Sequence, residues 1–396
     1  MAGQDHEVLI IGGGNAGLSL AARLRRYGIK DVAVVEPGEQ HFYQPLFSHI
    51  AGGRAKAAEA VRTQSSVMPH GVEWIRDSAV DVDPAGNTVT LASGRRLGFG
   101  HLVVCPGLQL DWTGIPGLAE AVHSTSGASH YDFSLAAKSW ALLSGLRAGT
   151  AVFTMPSGPI KCGGAAQKPM YLACDYWRRQ GVLKDIRVVM VQPYPTVFGV
   201  PGVDEELRRK IAEYGIELRL DSDLVAVEPA AQNVVIRDNT TGSTELLHYD
   251  VLNAVPPQSA PDWLKATELP APGGFVDVDP QTLRHVRFPN IWSLGDAAAT
   301  TNSKSGGALR KQTKVLARNL VAAREGKPLP EKYDGYSVCP FTVSRSTVVF
   351  AEFDDQYRPM PSVPKVPTWK ESRASWVVDR DIFPQVYWNL ILKGRA

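Results

Sequence analysis

The stretch Val8-Leu9-Ile10-Ile11-Gly12-Gly13-Gly14-Asn15-Ala16-Gly17 reads as a buried strand running into a glycine turn. Leu18, Leu20, Ala21, Leu24 and Tyr27 come next at helical spacing, so the order is strand, turn, helix. Gly12 permits the tight turn, Gly14 lets the backbone approach a pyrophosphate, and Gly17 lets the helix pack close to the strand. With Asn15 and Ala16 they bring the free N–H groups of a helix N-terminus to the phosphate charge. A second apolar run, Val32 to Val35, ends in Glu36, nineteen residues after Gly17. A carboxylate there accepts hydrogen bonds from an adenosine ribose. An α/β fold that opens on a dinucleotide site is expected.

The rest of the chain is consistent with a soluble enzyme of that size. Its 396 residues predict two or three domains, with 44% hydrophobic and 21% charged residues. Lys plus Arg number 42 against 40 for Asp plus Glu, a net charge of +2 with no basic run, which argues against a nucleic-acid partner. Met1 to Glu7 is short and polar without the features of an export signal, so a cytoplasmic location is expected. No stretch approaches the roughly 20 apolar residues that cross a bilayer, so any membrane contact would be peripheral. The four cysteines, Cys105, Cys162, Cys174 and Cys339, are too scattered for a disulfide framework and form no C-x-x-C metal pair. No metal site is expected.

Near the other end, Asn290-Ile291-Trp292-Ser293-Leu294-Gly295-Asp296-Ala297 reads as a strand running into Gly-Asp, with a helix-like stretch after it from Ala308 to Ala322. It resembles the second FAD fingerprint of two-dinucleotide-domain flavoproteins, whose aspartate binds the ribityl chain. FAD is the implied cofactor, and the helix N-terminus would stabilise negative charge on the flavin. Leu102 to Gly107 resembles the strand-to-turn motif on the way out of such a domain, which makes Cys105 a strand residue and Gly107 a cofactor contact.

In the middle of the chain the strand of a second nucleotide domain is present, Thr150 to Met155. It runs into Pro156-Ser157-Gly158-Pro159-Ile160-Lys161-Cys162-Gly163-Gly164-Ala165, with prolines and a lysine in place of a pyrophosphate turn. The next strand, Arg187 to Val191, ends in Gln192 rather than an acidic ribose ligand. A nucleotide fold without its site argues against NAD(P)H chemistry, and Cys162 stands where a helix N-terminus would lower a thiol pKa. Met170, Ala173, Cys174 and Trp177 share one helical stripe, so Cys174 is read as core.

Glu36-Pro37, His41-Phe42-Tyr43-Gln44-Pro45-Leu46, the Lys161 to Lys168 stretch and Tyr333 to Pro340 together resemble the sulfide:quinone oxidoreductases, specifically the type that includes the mitochondrial enzyme. The resemblance runs over nearly the whole chain. It implies two Rossmann-like dinucleotide-binding domains, an FAD domain and a degenerate NAD-type domain, with a C-terminal flavin and quinone interface region. It implies that Cys162 and Cys339 are a redox pair, that Cys162 reaches the flavin, and that Cys339 holds sulfane sulfur as a persulfide until a small thiol or sulfite removes it. Gln44 and Lys304 are assigned to the cofactor, and Phe341, Phe383 and Tyr387 to the quinone. Sulfide oxidation needs an electrophilic sulfur for HS⁻ to attack, a thiolate and a two-electron acceptor, and these residue types supply the first two. A type II NADH:quinone oxidoreductase, a sulfide dehydrogenase with a cytochrome partner and a non-catalytic flavin redox sensor are the alternatives.

Residues 1 to 120 and 285 to 325 are expected to build the FAD domain, 121 to 284 the degenerate domain, and 326 to 396 the C-terminal region. Pro256-Pro257, Pro270 to Gly274 and Met360 to Pro367 mark the joints. Ile382, Phe383, Val386, Tyr387, Leu390 and Ile391 fall in two adjacent columns of one amphipathic helix with Pro384 in its first turn. Such a helix packs either in a core or at a membrane interface. The oligomeric state stays open, with a homodimer allowed.

Overall fold

The computed structural model describes residues 5–363 and 366–396. Met1 to Gln4 of the N-terminal stretch, and Pro364 and Lys365 of the last proline-rich joint, lie outside the described residues. The opening motif folds as expected: a strand over His6–Ile11, then a helix over Asn15–Arg26 capped by Gly14 with no side-chain cap. Gly17 lies against the Gly12 carbonyl, where a Cβ has no room, and this contact sets the close approach of helix to strand.

The first sheet runs in the order Glu73–Ile75, Val32–Val35, His6–Ile11, Arg96–Val104, Thr88–Leu91, Ala79–Asp83. Ile291–Ser293 joins it by pairing in parallel with the far end of Arg96–Val104. Register explains why three motifs distant in sequence meet. Ile11 is level with Val35 and Val104, and Val104 is level with Ser293. The glycine turn, Cys105-Pro106-Gly107 and Leu294-Gly295-Asp296 therefore leave the sheet side by side at its carboxyl edge, where open α/β sheets bind ligands.

A second sheet, parallel throughout where the first is mixed, runs Gly127–Ala128, Val251–Ala254, Gly149–Thr154, Ile186–Val191, Glu217–Arg219. Lys168–Arg179 and Pro201–Tyr214 contribute to the core on one face. An antiparallel sheet of Ser222–Glu228, Asn233–Asp238 and Thr244–His248 covers the other. Ala260, Leu264, Leu269, Val276 and Val278 already pack with Leu9 and Val104, so the chain returns to the first core near residue 260, earlier than the expected 285.

In the last seventy residues Val348, Phe350 and Trp376 form a small cluster with Leu172, and the remaining core residues join the two larger cores. The hairpin Ser337–Thr342 with Val348–Phe353 sends Cys339, Phe341 and Phe353 into the second core, while Tyr387, Trp388 and Leu392 enter the first. The expected amphipathic helix lies over Phe383–Asn389 with Pro384 in its first turn and runs on into a 3-10 turn over Ile391–Lys393, and it is preceded by a helix over Arg373–Val377 and a π-turn over Val378–Ile382. Pro384 has no N–H for the carbonyl one turn back, and the i→i−4 ladder cannot run through it. Trp388 is consequently buried, whereas Ile382 and Leu390 face out. Arg23 of the first helix binds the carbonyl of Ala396.

Candidate active site

Glu36 receives the N–H groups of Gly13 and Gly38 on its two carboxylate oxygens, each at 2.7 Å. Its own loops therefore hold it beside the glycine turn. Gly14 is exposed with nothing within 4 Å of an added Cβ, and Gly107 is equally open. Asn15 and Ala16 start the helix half-buried and Gln44 is exposed. Gly295, at φ +71°, turns the chain into Asp296, whose carboxylate has neither hydrogen bond nor ion pair among the described residues. Burial pushes the Asp296 carboxyl up, against the pull of Lys304 and Lys161. Both ammonium groups are held below their ordinary values by burial. Lys304 Nζ donates to the Ala298 carbonyl at 2.9 Å and lies 4.5 Å from the Phe275 ring centre.

An uncapped helix start, a ribose-position carboxylate and a half-buried carboxylate without a partner among the described residues, at one sheet edge, make the donor set of a flavin dinucleotide cradle. The site thus fits FAD on its own geometry.

Cys162 and Cys339 meet. The Cys339 thiol hydrogen-bonds to the Cys162 sulfur, and this bond, with Lys168 and the Ala165 N–H, overrides burial and brings Cys162 down to about 6. The same bond and burial drive Cys339 well up. Cys162 has φ +53°, left-handed for a residue with a side chain, and its backbone is tied on both sides. Its N–H donates to the Lys304 carbonyl at 2.7 Å, and its carbonyl accepts from Tyr131 Oη at 3.0 Å and the Ala165 N–H at 2.8 Å. A 3-10 turn over Gly163–Gln167 then leads into the helix Lys168–Arg179.

Cys339 is held from the same place. Ser303 Oγ lies 3.7 Å from its sulfur, and Ser337, two residues earlier on the strand, donates to the Ser303 carbonyl at 2.8 Å. Ser337 Oγ also meets Ser305 Oγ at 2.9 Å. The loop from Asn302 to Ser305, between Asp296 and the helix Gly306–Arg324, therefore holds both cysteines next to the cofactor cradle. Of that loop only Lys304 stands out in the sequence; Lys168 and Ser337 fall inside the two cysteine stretches that carry the family resemblance, whereas Ser303 and Tyr131 carry no motif signal.

Other expected residues fall elsewhere. Phe341 is fully buried under Gly164 and against Phe198, 4.9 Å between ring centres, and Tyr387 is buried with its hydroxyl 2.6 Å from His41 Nε2. Neither offers surface to a quinone, so the quinone roles expected for them give way to packing. Phe383 keeps partial exposure beside Phe350. Cys174 is buried, and Cys105 sits against the Gly12 carbonyl at 3.8 Å; burial pushes both thiols up. In the second sheet the side chain of Gln192 is spent on the Thr196 carbonyl and on Gln167. No metal-binding group of three His, Cys, Asp or Glu side chains occurs among the described residues.

Residues 6–326 match the family model of the pyridine nucleotide-disulphide oxidoreductases. The mitochondrial sulfide:quinone oxidoreductase of Mus musculus is 35% identical over 395 residues, covering 99% of this chain and 88% of the relative. The chain belongs to the sulfide:quinone oxidoreductase family. The mitochondrial enzyme of Dictyostelium discoideum is 33% identical, covering 98% of this chain and 86% of its own. The crystal structure of the sulfide:quinone oxidoreductase from Aquifex aeolicus superposes with a TM-score of 0.81 at 19% identity, covering 97% and 92% of the two chains, which speaks for the fold. Members of the family are FAD flavoproteins, and FAD is the cofactor of this chain.

Proposed function

We propose that this protein oxidises sulfide to enzyme-bound sulfane sulfur with FAD and passes the electrons to a quinone, using Cys162 and Cys339 as its redox pair. The observation that carries the site assignment is that these two cysteines, distant in sequence, pack in one core and are both tied to the Asn302–Ser305 loop beside a dinucleotide cradle. Bound FAD supplies the two-electron acceptor that sulfur chemistry at a thiol pair requires.

The protein's own groups supply the rest. Gly12, Gly14, Asn15, Ala16, Gly17, Glu36, Pro37, Gln44, Gly107, Gly295 and Asp296 hold the dinucleotide. Lys304 and Lys161 face the unpartnered Asp296 and offset negative charge on the flavin side of the cysteines. Oxidised by FAD, the pair would form a disulfide whose Cys339 sulfur HS⁻ attacks; the S–S bond breaks, Cys339 keeps the sulfane sulfur as a persulfide until a small thiol or sulfite takes it, and Cys162, the acidic thiol, leaves as the thiolate that would pass the electron pair to FAD. Phe383 is the residue of the expected quinone group that retains surface.

Among the described residues no helix is long and apolar enough to cross a membrane. Val377, Ile382 and Leu390 are exposed apolar side chains near the C-terminal end, and they support peripheral attachment to the inner face of a membrane. The expected FAD and degenerate nucleotide domains correspond in this reading to the two larger sheets, with residues from about 260 to 325 in the former.

Anaerobic visible spectroscopy tests the function. Sodium sulfide should bleach the flavin, a short-chain quinone should restore it, and NADH should leave a separate sample unchanged. Bleaching by NADH and not by sulfide would overturn the reading.

A further inference from the structure

We infer that His49, backed by Asp379, accepts the proton that hydrogen sulfide loses as it enters the site beside Cys162. The inference rests on the sulfide reading above and assigns a residue that no motif marks.

His49 stands on the short helix Leu46–Ala51 and Asp379 in the π-turn Val378–Ile382, and both are buried. His49 Nε2 lies 3.1 Å from Asp379 Oδ2. With Nε2–H donating to the carboxylate, the other ring nitrogen keeps its lone pair. That atom, Nδ1, is buried and has no hydrogen-bonding partner among the described residues. An imidazole fixed by a carboxylate, with its second nitrogen free and desolvated, is the arrangement of a general base, because the carboxylate stabilises the imidazolium that forms. A histidine serving only to satisfy a core would use both nitrogens. Single-turn π-bulges are frequent at functional sites, and this one carries Asp379.

The helix that carries His49 packs on the helix that continues from the Cys162 loop. Gly52, one turn after His49, packs against Leu172, one turn after Lys168 on the helix that continues from the Cys162 loop. The ionisable neighbours are Tyr43 before the same short helix, Lys168 from the next helix, Cys162 from its loop, and Arg380 beside Asp379; the Asp379 charge is felt at both Tyr43 and Cys162. Arg54 is separated from His49 by the Trp376 ring, over which its guanidinium lies at 5.0 Å. Arg345 binds the Gly52 and Gly53 carbonyls at the far end of the helix.

The step is a proton transfer alone. One S–H bond of H₂S breaks, its electron pair stays on sulfur as HS⁻, and the proton ends on Nδ1. No electron moves, and HS⁻ is delivered beside Cys162. Asp379 acts through His49 and is a positioning residue.

The test is the pH dependence of sulfide-driven flavin bleaching in anaerobic stopped flow, with holoenzyme and sodium sulfide. The double variant His49→Leu with Asp379→Leu replaces the pair by apolar groups, and its flavin-to-protein absorbance ratio reports folding. Its kcat/KM for sulfide should fall about 10²-fold at acid pH, where the substrate is H₂S, and stay within about threefold of wild type at alkaline pH, where water has already ionised it. Asp379→Asn should shift the profile in the same direction by less. Wild-type rates for the double variant at every pH, or an equal loss at every pH, would overturn the inference. Failure of sulfide to bleach the wild type would instead remove the sulfide reading, and the inference with it.

Discussion

Cys162 is held in a left-handed conformation by the Lys304 carbonyl, Tyr131 and the Ala165 N–H, at a backbone cost of about 1–3 kcal/mol. Strain of that size persists only where the surroundings fix it, and here they point its sulfur at Cys339. Because the Cys339 thiol donates to the Cys162 sulfur, the thiolate is the favoured form of Cys162 above about pH 6. In reduced protein, Cys162 alkylation by iodoacetamide should reach half its plateau rate near pH 6, while Cys105 and Cys174, whose thiols burial pushes up, stay unlabelled. In Cys339→Ala the donated bond is gone and the midpoint should move up towards the ordinary thiol value; an unmoved midpoint would contradict the hydrogen bond. Gly17 gives a second expectation at this scale. A Cβ at Gly17 would collide with the Gly12 carbonyl, so Gly17→Ala should yield protein lacking FAD, checked by its visible spectrum. The residues of the glycine turn were legible in the sequence because steric demands on a turn recur locally. Ser303, Ser337 and the His49–Asp379 pair were not, since a serine or histidine gains its role only from partners brought in by the fold.

The short elements near the C-terminal end show where local pattern stops being a guide. Apolar residues from Ile382 to Ile391 fit two columns of one helix, and the helix covers Phe383–Asn389 with Pro384 in its first turn, its last residues passing into a 3-10 turn. Tyr387, Trp388 and Leu392 then enter the first core, and Ile382 and Leu390 are left outside. Leu392 is fully buried, so Leu392→Ala should destabilise the holoprotein by about 2–5 kcal/mol, read as a lower urea midpoint at unchanged slope. A midpoint shift under about 0.5 kcal/mol would mean that the segment is not anchored there. The hairpin around Cys339 behaves in the same way: Val338 to Phe341 alternates too weakly to announce a strand, yet pairing with Val348–Phe353 places Cys339 opposite Ala351 in a core.

Across the whole molecule the site is the product of two sheets whose carboxyl edges are joined by one loop. The first sheet delivers the glycine turn, Gly107 and Asp296, and the second delivers the Cys162 loop. The stretch Asn302 to Ser305 ties both to the Cys339 hairpin through the Cys162 N–H and Ser337. Fold class and cofactor could be read from sequence because each rests on motifs of ten residues or fewer. The domain boundary near residue 260 could not, because Ala260 to Val278 carries no periodic signal and is assigned only by the core it enters. The central claim is that Cys162 and Cys339 act together on sulfide. It is tested most directly by stopped-flow flavin bleaching of Cys162→Ala and Cys339→Ala, each with FAD bound, under excess sulfide. Each variant should lose at least about 10²-fold of the wild-type bleaching rate with its oxidised flavin spectrum retained. A variant that bleaches at the wild-type rate would take its cysteine out of the reaction.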